Sequence, residues 1–180
     1  MTHRLDANTS GVVVFARKRA IAQQIQSQFE SGSVKKTYLA CVHGVPGEPQ
    51  FECHAKISRA PGDGGLRRVD DADGHEASTE FRLIESSGDG KSLIECVPKT
   101  GRTNQIRIHL WQSGLPIVND PSYLVNSELG NNQTLAIGEP QMCLHAWKLE
   151  IVHPESGEKM NLVADAPEWT NGRAADWHGR

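Results

Sequence analysis

Two pairs of apolar segments, each joined by a short turn, constrain the fold of this 180-residue chain more than any other feature. Residues 77–85 and 92–98 flank a turn of Ser, Gly and Asp, and residues 143–152 and 159–163 flank a His-Pro-Glu-Ser-Gly turn. Strand-forming residues on both sides of such a turn predict a β-hairpin. The sequence therefore predicts a sheet in which neighbouring strands run antiparallel.

Three further strands and two surface loops are predicted from local composition. Residues 12–16 form a continuous apolar run, residues 37–43 end at a Gly-Val-Pro turn, and residues 51–57 give a weaker strand signal. Residues 59–74 are rich in Gly, Asp and Arg, and residues 124–141 are polar and rich in Asn. Both of these last segments are expected to be loops at the surface.

Two helices are predicted between the strands. Residues 18–31 carry Ile21, Ile25 and Phe29 four positions apart, which places these side chains on one helical face, and a glycine follows. Residues 103–112 are predicted as the second helix. Antiparallel strands with two helices between them predict an α+β fold with a mixed, mainly antiparallel sheet and flanking helices.

Composition argues against several classes of protein. The formal net charge is −3 and the sequence pI is about 6.2, so nucleic-acid binding would need a local basic face. The four cysteines lack a CxxC spacing and no histidine pair has ligand-like spacing, so neither a disulfide framework nor a metal site is predicted. No apolar run approaches the ~18 residues of a membrane span and no signal peptide is visible, so a cytoplasmic protein is expected.

The polar segment at residues 3–11, HRLDANTSG, precedes the first predicted strand. A carboxylate on a polar turn beside a rigid strand is placed as a reacting group would be, which makes Asp6 a candidate. An isolated aspartate also has an ordinary explanation at this position, because its side chain can cap the turn. The sequence of this segment alone leaves both interpretations open.

Two later segments carry further candidate residues. Tyr38 follows Lys35 and Lys36 in a predicted strand, where a buried ring with a solvated hydroxyl is the ordinary arrangement. Residues 101–107, GRTNQIR, enter the second helix with several hydrogen-bond donors and two guanidinium groups. Such a helix start suits an anion such as RNA phosphate, and an ordinary capped surface helix explains it equally well.

Taken in order, these motifs resemble those of the RluA class of pseudouridine synthases. HRLD with TSG is followed by KKxYxAxVxG, by GRTxQIRxHL, by GLPIVND with Tyr123, and then by LHA and HP. The resemblance runs from residue 3 to about residue 165. It implies the pseudouridine synthase catalytic-domain fold over residues 1–166. Residues 167–180, after this region, are expected to form a flexible tail.

The resemblance implies a role for each residue that matches a motif. Asp6 would be the catalytic aspartate, and Tyr38 would pack on the target uracil and assist removal of the C5 proton. Arg107 would pair with the aspartate, and Arg4 would enter the RNA stack as the uridine flips out. The other residues expected to bind substrate or RNA are Lys35, Lys36, Arg102, Thr103, Asn104, Gln105, Leu144 and His145.

The implied activity is the isomerisation of uridine to pseudouridine in rRNA or tRNA. The reaction has no redox step, so no cofactor is expected, and RNA is the expected partner. Two positions depart from the family pattern. Asn104 stands where many members carry His, and Asn119 stands where Gly is common.

Members of this class usually have a longer segment ahead of the HRLD motif, so the catalytic domain is expected to be incomplete at its N-terminus. An open sheet edge would result, through which a homodimer could form. The alternative function is therefore a catalytically impaired remnant that binds RNA or dimerises. A glycosidase-like hydrolase would need two neighbouring carboxylates, and nothing in the sequence brings Asp6 and Asp120 together.

Overall fold

The regular elements follow the order of the apolar segments along the chain. A computed structural model of the protein describes residues 2–62 and 65–171. Two short 3-10 turns, Val125–Ser127 and Glu168–Thr170, accompany the longer elements. The longer elements are β1 (Ser10–Gly11), α1 (Arg19–Glu30), β2 (Lys35–His43), β3 (Gln50–Cys53), β4 (Thr79–Ser86), β5 (Lys91–Pro98), α2 (Gln105–Gln112), β6 (Leu144–Val152) and β7 (Lys159–Val163).

All seven strands of the described residues belong to one sheet. Their spatial order is β1-β6-β2-β5-β4-β3, and β7 also pairs with β6. Only the short contact between β1 and β6 is parallel, and every other pairing is antiparallel. Both predicted hairpins form, as β4–β5 and β6–β7. The α+β fold with a mainly antiparallel sheet is confirmed, and a homodimer through an open sheet edge stays a prediction.

The predicted strand over residues 12–16 is wrong. Only β1, directly before it, is a strand, and it pairs with His145 and Ala146 of β6. The hairpin partner β7 occupies the same edge of β6 from Lys148 onward. The chain after β1 therefore meets no free strand edge, and backbone pairing stops where β7 begins.

One backbone hydrogen bond, from the Val12 N–H to the Ala146 carbonyl oxygen at 2.9 Å, and several side-chain contacts hold residues 12–16 instead. The Thr2 hydroxyl donates to the carbonyl oxygen of Val14 at 2.6 Å, and the Val14 N–H donates to Nε2 of His3 at 3.0 Å. Val12 and Val14 pack against a cluster whose buried members are Val34, Leu149 and Ile151. The apolar run thus fixes the HRLD segment to the core without forming a strand.

The predicted helices are confirmed, with one informative boundary. The second begins at Gln105 because Asn104 adopts a left-handed conformation, with φ 58° and ψ 18°, which is incompatible with an α-helix. Strand β3 is shorter than predicted, and Ile57 makes only isolated bridges to Val69 and His75.

The beginning of the expected C-terminal tail is packed against the protein. Trp169 contacts two of the buried clusters, and 2% of the Thr170 surface is exposed. Residues 167–171 are therefore not a loose tail. Residues 172–180, the remainder of that expectation, lie outside the described residues.

The main core lies between the sheet and α2. Ile106 and Leu110 of α2 join the buried cluster that contains Ala40, Ile94 and Leu144 of the sheet. All six residues from Gln105 to Leu110 are buried, so α2 is enclosed on several sides. The position of its first turn relative to the strands is consequently fixed.

Gly11 is the residue of β1 that permits the close approach to β6. Its φ is +113°, and a Cβ atom there would overlap the carbonyl oxygen of Ala146. Gly11→Ala would add backbone strain as well as this overlap. We expect it to lower the free energy of unfolding by at least about 1–3 kcal/mol, measured by urea denaturation followed by circular dichroism.

Gly88→Ala is the matched control. Gly88 lies in the turn between β4 and β5, and a Cβ atom there would meet open space. This variant should change the free energy of unfolding by less than about 0.5 kcal/mol. Equal effects of the two substitutions would contradict the requirement for glycine in β1.

Candidate active site

The last turn of α1 and the first turn of α2 border one open cavity of about 790 Å³. The segment with the HRLD motif, side chains of β2 and β6, and residues 98–103 before α2 complete its wall. Segments that are far apart in the sequence thus meet in one cleft. The candidate residues that line it are Arg4, Asp6, Lys36, Tyr38, Arg102, Thr103, Gln105 and Leu144.

Asp6 lies on a turn, but its carboxylate reaches a different element. The backbone itself closes the turn, because the Thr9 N–H donates to the carbonyl oxygen of Asp6 at 3.1 Å. The carboxylate Oδ2 accepts the backbone N–H of Asn104, directly before α2, at 3.1 Å. The Asp6 side chain therefore links the HRLD segment to the start of α2 rather than capping its own turn.

The surroundings of Asp6 oppose and support its ionisation at once. Burial raises its pKa above the usual 3.8 by removing solvent from the charged form. The charge of Arg107, the Asn104 N–H and the charge of Arg4 lower the pKa, in that order, and the charge of Asp120 raises it. The cleft thus holds a poorly solvated carboxylate, and the charges of Arg107 and Arg4 partly offset the free-energy cost of ionising it.

Arg107 makes its ion pair with Asp120, which corrects the expectation that it pairs with Asp6. Its Nε donates to Oδ2 of Asp120 at 2.7 Å and its Nη2 donates to Oδ1 at 2.6 Å. Only 2% of the Arg107 surface is exposed. Its charge still acts on Asp6 and lowers the pKa of that carboxyl.

Asp120 and Tyr123 support Arg107 beneath the cleft, a role that the sequence did not indicate. Oδ1 of Asp120 also accepts the backbone N–H groups of Ser122 at 2.8 Å and Tyr123 at 3.1 Å. The Tyr123 ring lies 5.0 Å from the Cζ of Arg107. A signal was available, since an arginine within the apolar part of a helix needs a buried carboxylate. With both oxygens engaged in this way, Asp120 does not supply the second free carboxylate that a glycosidase would need.

Tyr38 lies on β2, opposite Cys96 of β5 and Ala146 of β6. Its half-buried side chain faces the cavity. Burial raises the pKa of its hydroxyl, and the neighbouring charge of Asp6 raises it further. Tyr38 is therefore a neutral phenol at neutral pH, which can pack against a base or pass on a proton but is a weak base.

Three of the cations predicted to contact RNA lie on the cavity wall. Arg4 and Arg102 are exposed there, whereas Lys36 is half-buried and its Nζ donates to a backbone carbonyl oxygen at 2.9 Å. Lys99, which the sequence did not single out, lies on the same wall and forms an ion pair with Glu80 at 2.6 Å. This local group of cations can bind phosphate although the chain as a whole is acidic.

Lys35 and His145 lie away from the cavity wall. Lys35 is exposed and forms an ion pair with Glu150 at 3.1 Å. His145 is buried, and its Nδ1 lies 2.8 Å from the hydroxyl of Ser10, so it helps to hold β1 against β6. The structure therefore does not bring these two side chains to the cavity with the other candidates.

Gln105 has a structural role that corrects its assignment to RNA binding. Its Oε1 accepts the Thr100 hydroxyl at 2.6 Å and the Arg102 N–H at 3.0 Å. Its Nε2 donates to the Ser78 carbonyl oxygen at 2.9 Å and to the Thr79 hydroxyl at 3.0 Å. These four hydrogen bonds use both polar ends of a buried side chain to shape the turn before α2.

Within residues 2–62 and 65–171, no three His, Cys, Asp or Glu side chains are grouped in a way that suits a metal ion. No helix among those residues combines the length and the apolar character needed to cross a membrane.

Comparisons with known proteins agree on one family. Residues 1–112 match the family model described as RNA pseudouridylate synthase. An uncharacterized RNA pseudouridine synthase of Synechocystis sp. is 35% identical over 170 residues, which cover 93% of this chain and 50% of that protein. A ribosomal large subunit pseudouridine synthase D of Nitrosomonas europaea is 35% identical over 171 residues, with coverage of 93% and 48%. The chain spans about half the length of these curated relatives.

A solved structure shows the same fold. The human RNA pseudouridylate synthase domain containing 4 superposes with a TM-score of 0.76 at 26% sequence identity. The match covers 97% of this chain and 74% of the human chain. The arrangement of the sheet and helices is therefore that of a pseudouridylate synthase domain.

Breaking the pair of Arg107 and Asp120 should leave an uncompensated buried charge. We expect Arg107→Met and Asp120→Leu each to lower the free energy of unfolding by about 3–5 kcal/mol. The double variant removes both charges, so it should be less destabilised than the sum of the two single variants. Denaturant titrations of the four proteins measure the coupling.

The exposed pair of Lys35 and Glu150 provides the control. Because both side chains are in contact with solvent, Glu150→Gln should change the free energy of unfolding by less than about 1 kcal/mol. Strictly additive effects at the buried pair, or an equal loss at the exposed pair, would show that burial does not set the strength of the interaction.

Asp6→Asn should stabilise the folded protein at neutral pH. Because folding raises the pKa of Asp6 above 3.8, the native state holds this proton more tightly than the unfolded state. That contribution is fully present below the unfolded pKa and is lost as the pH rises through the folded pKa. Asparagine does not ionise, so the variant should have the higher melting temperature at neutral pH, with a difference that shrinks at acidic pH. Thermal unfolding across this range would contradict the argument if wild type were the more stable protein at neutral pH.

Proposed function

The chain belongs to the RNA pseudouridylate synthase family, and on this premise we propose that it isomerises uridine to pseudouridine in structured RNA. One observation carries the proposal. The carboxylate of Asp6 lies in an open cleft, fixed by a backbone N–H and within reach of the charge of Arg107, with Tyr38 and several cations around it. Asp6 is the catalytic group in this proposal.

The chemistry requires such a carboxylate. The N1–C1′ bond of uridine breaks, the detached uracil turns, and C5 joins C1′. A proton then leaves C5 and N1 gains one, so the product is an isomer of the substrate. An ionised Asp6 would either attack C1′ or remove the C2′ proton, and no redox step or cofactor enters either route.

The ionisation state of Asp6 is balanced for this work. Burial would favour the neutral acid, which can neither attack carbon nor accept a proton. The charges of Arg107 and Arg4 favour the ionised form of Asp6, and they act in a cleft that is partly shielded from water. A desolvated anion that remains ionised is more reactive than one surrounded by water.

Tyr38 is proposed to pack against the uracil. Its raised pKa makes it a neutral phenol, and stacking of a base on an aromatic ring is worth about 1–3 kcal/mol. As a neutral phenol it would relay the C5 proton, its oxygen accepting that proton while its own hydroxyl proton passes to water.

Access to a base inside RNA requires that the base be extruded, at a cost of a few kcal/mol. The exposed side chain of Arg4 lies on the cavity wall, two residues from Asp6. We assign it to the space that the flipped uridine vacates. Lys36, Lys99 and Arg102 would contact the surrounding phosphates.

The substrate is proposed to be ribosomal RNA, with tRNA as the second choice. The relative from Nitrosomonas europaea is named as a ribosomal large subunit pseudouridine synthase. Action on such RNA agrees with the cytoplasmic location expected from the sequence. RNA transcripts of both kinds would distinguish the two substrates.

Asp6→Asn should lower kcat for pseudouridine formation by at least about 10²–10⁴-fold, because it removes the reacting carboxylate. Its affinity for RNA should stay close to that of wild type, since the cations of the wall are unchanged. Nucleoside analysis of digested transcripts measures the product, and filter binding measures the affinity.

Asp71→Asn is the control, because this exposed loop carboxylate is not part of the cavity wall. It should leave both turnover and binding unchanged. RNA binding without turnover by wild type and both variants would instead support the alternative function, a module that binds RNA without modifying it.

A further inference from the structure

We propose that Asn104 is a positioning residue for the catalytic carboxylate, and that its left-handed backbone is the feature this role requires. The proposal rests on the proposed function of Asp6. The sequence suggested that Asn104 contacts RNA, whereas its contacts in the structure are directed into the protein.

The backbone of Asn104 delivers the hydrogen bond that Asp6 receives. Its N–H donates to Oδ2 of Asp6 at 3.1 Å, across 98 positions of sequence. The residue has φ 58° and ψ 18°, directly before α2. Because φ is the rotation about the N–Cα bond, a return to negative φ would turn this N–H relative to the helix. Glycine and asparagine tolerate the left-handed region, and most other residues do not.

The side chain of Asn104 locks this conformation to the buried ion pair. Its Oδ1 accepts Nη1 of Arg107 at 3.1 Å, and its Nδ2 donates to the hydroxyl of Tyr123 at 3.3 Å. Both anchors are buried, with 2% of Arg107 and 1% of Tyr123 exposed. Both polar ends of the side chain are therefore engaged inside the protein.

One residue consequently transmits the geometry of the ion pair to the carboxylate. Arg107 is held by Asp120, Asn104 is held by Arg107, and Asp6 is held by Asn104. The Asn104 N–H is also one of the groups that lower the pKa of Asp6. Loss of the left-handed backbone would both release the carboxylate and make it harder to ionise.

Two substitutions separate the backbone from the side chain. Asn104→Gly and Asn104→Ala both remove the side chain, but only glycine accepts this φ without strain. We expect the Gly variant to keep kcat within a few-fold of wild type. The kcat of the Ala variant should be about ten-fold lower than that of the Gly variant, a difference of about 1.4 kcal/mol in activation free energy. The KM for RNA should stay unchanged in both.

The pH dependence of kcat distinguishes a positioning role from a purely structural one, because a purely structural role would not change the pKa of Asp6. Without the Asn104 hydrogen bond the pKa of Asp6 would rise, so a higher pH would be needed to ionise it. The acidic limb of the kcat profile should therefore shift to higher pH in Asn104→Ala and stay in place in Asn104→Gly. Asn104→His, which carries the residue common in the family and tolerates positive φ, should restore the wild-type limb.

Asn126→Ala is the matched control. Asn126 also has positive φ, at 62°, but it is exposed in the 3-10 turn before β6. Alanine at this position would be strained by the same positive φ as at position 104, but residue 126 does not contact Asp6. It should lower the melting temperature while leaving kcat and the acidic limb unchanged.

Several outcomes would overturn the proposal. Equal kcat and an unshifted acidic limb in the Gly and Ala variants would show that the backbone conformation is not required. A raised KM with unchanged kcat in both would assign Asn104 to direct RNA contact. Should thermal unfolding show that Asn104→Ala does not fold, Asn104→Ser imposes the same backbone preference and takes its place.

A measurement without turnover separates this proposal from the proposed function. The carboxyl carbon of Asp6 can be followed by NMR during a pH titration of wild type, Asn104→Gly and Asn104→Ala. A midpoint that rises only in the Ala variant supports the positioning role even if no RNA is modified. An identical midpoint in all three proteins overturns it, whatever the activity of wild type.

Discussion

The buried ion pair between Arg107 and Asp120 is the constraint on which the arrangement of the site depends. Arg107 belongs to α2 and Asp120 to the loop that follows, so the pair ties the loop to the helix. Separating the two charges in this dry environment would cost several kcal/mol. The charge of Arg107 lowers the pKa of Asp6. Asp6 also accepts a hydrogen bond from the backbone of Asn104, whose side chain is in turn hydrogen-bonded to Arg107. The ion pair of Arg107 and Asp120 thus influences both the ionisation and the hydrogen bonding of Asp6.

The segment that carries Asp6 enters the sheet at an edge of β6 that two strands share. Strand β6 pairs with β2 on one side and shares its other edge between β1 and β7. This division stops the pairing of β1 after Gly11, so residues 12–16 leave the sheet. Gly11 makes the arrangement possible, since any side chain there would overlap the backbone of β6. Contacts from Thr2 and His3 to Val14 then hold the segment that carries Asp6.

The two departures from the family pattern have a common physical explanation. Asn104 has φ 58° and Asn119 has φ 60°, and both therefore occupy the left-handed region. Asparagine is, after glycine, the residue that most readily adopts this conformation. At position 119 it can take the place of a glycine with little strain. At position 104 it adds a side chain that joins Arg107 to Tyr123.

The hairpins, the helices and the segments that carry Asp6 and Tyr38 were predictable from the sequence, because turns and periodicity are properties of neighbouring residues. The partner of Arg107 was not, because Asp120 lies 13 positions further along the chain, in a loop whose packing against α2 the sequence does not show. The same holds for the edge of β6, where β7 displaced a strand that residues 12–16 favoured locally. Gln105 looked like a ligand-binding donor, and only its four internal hydrogen bonds showed otherwise. The sequence by itself thus determined which reactive and charged side chains are available. Only the tertiary structure decided which of them meet, because a contact such as that between Asp6 and Asn104, 98 positions apart, depends on how the elements between them pack.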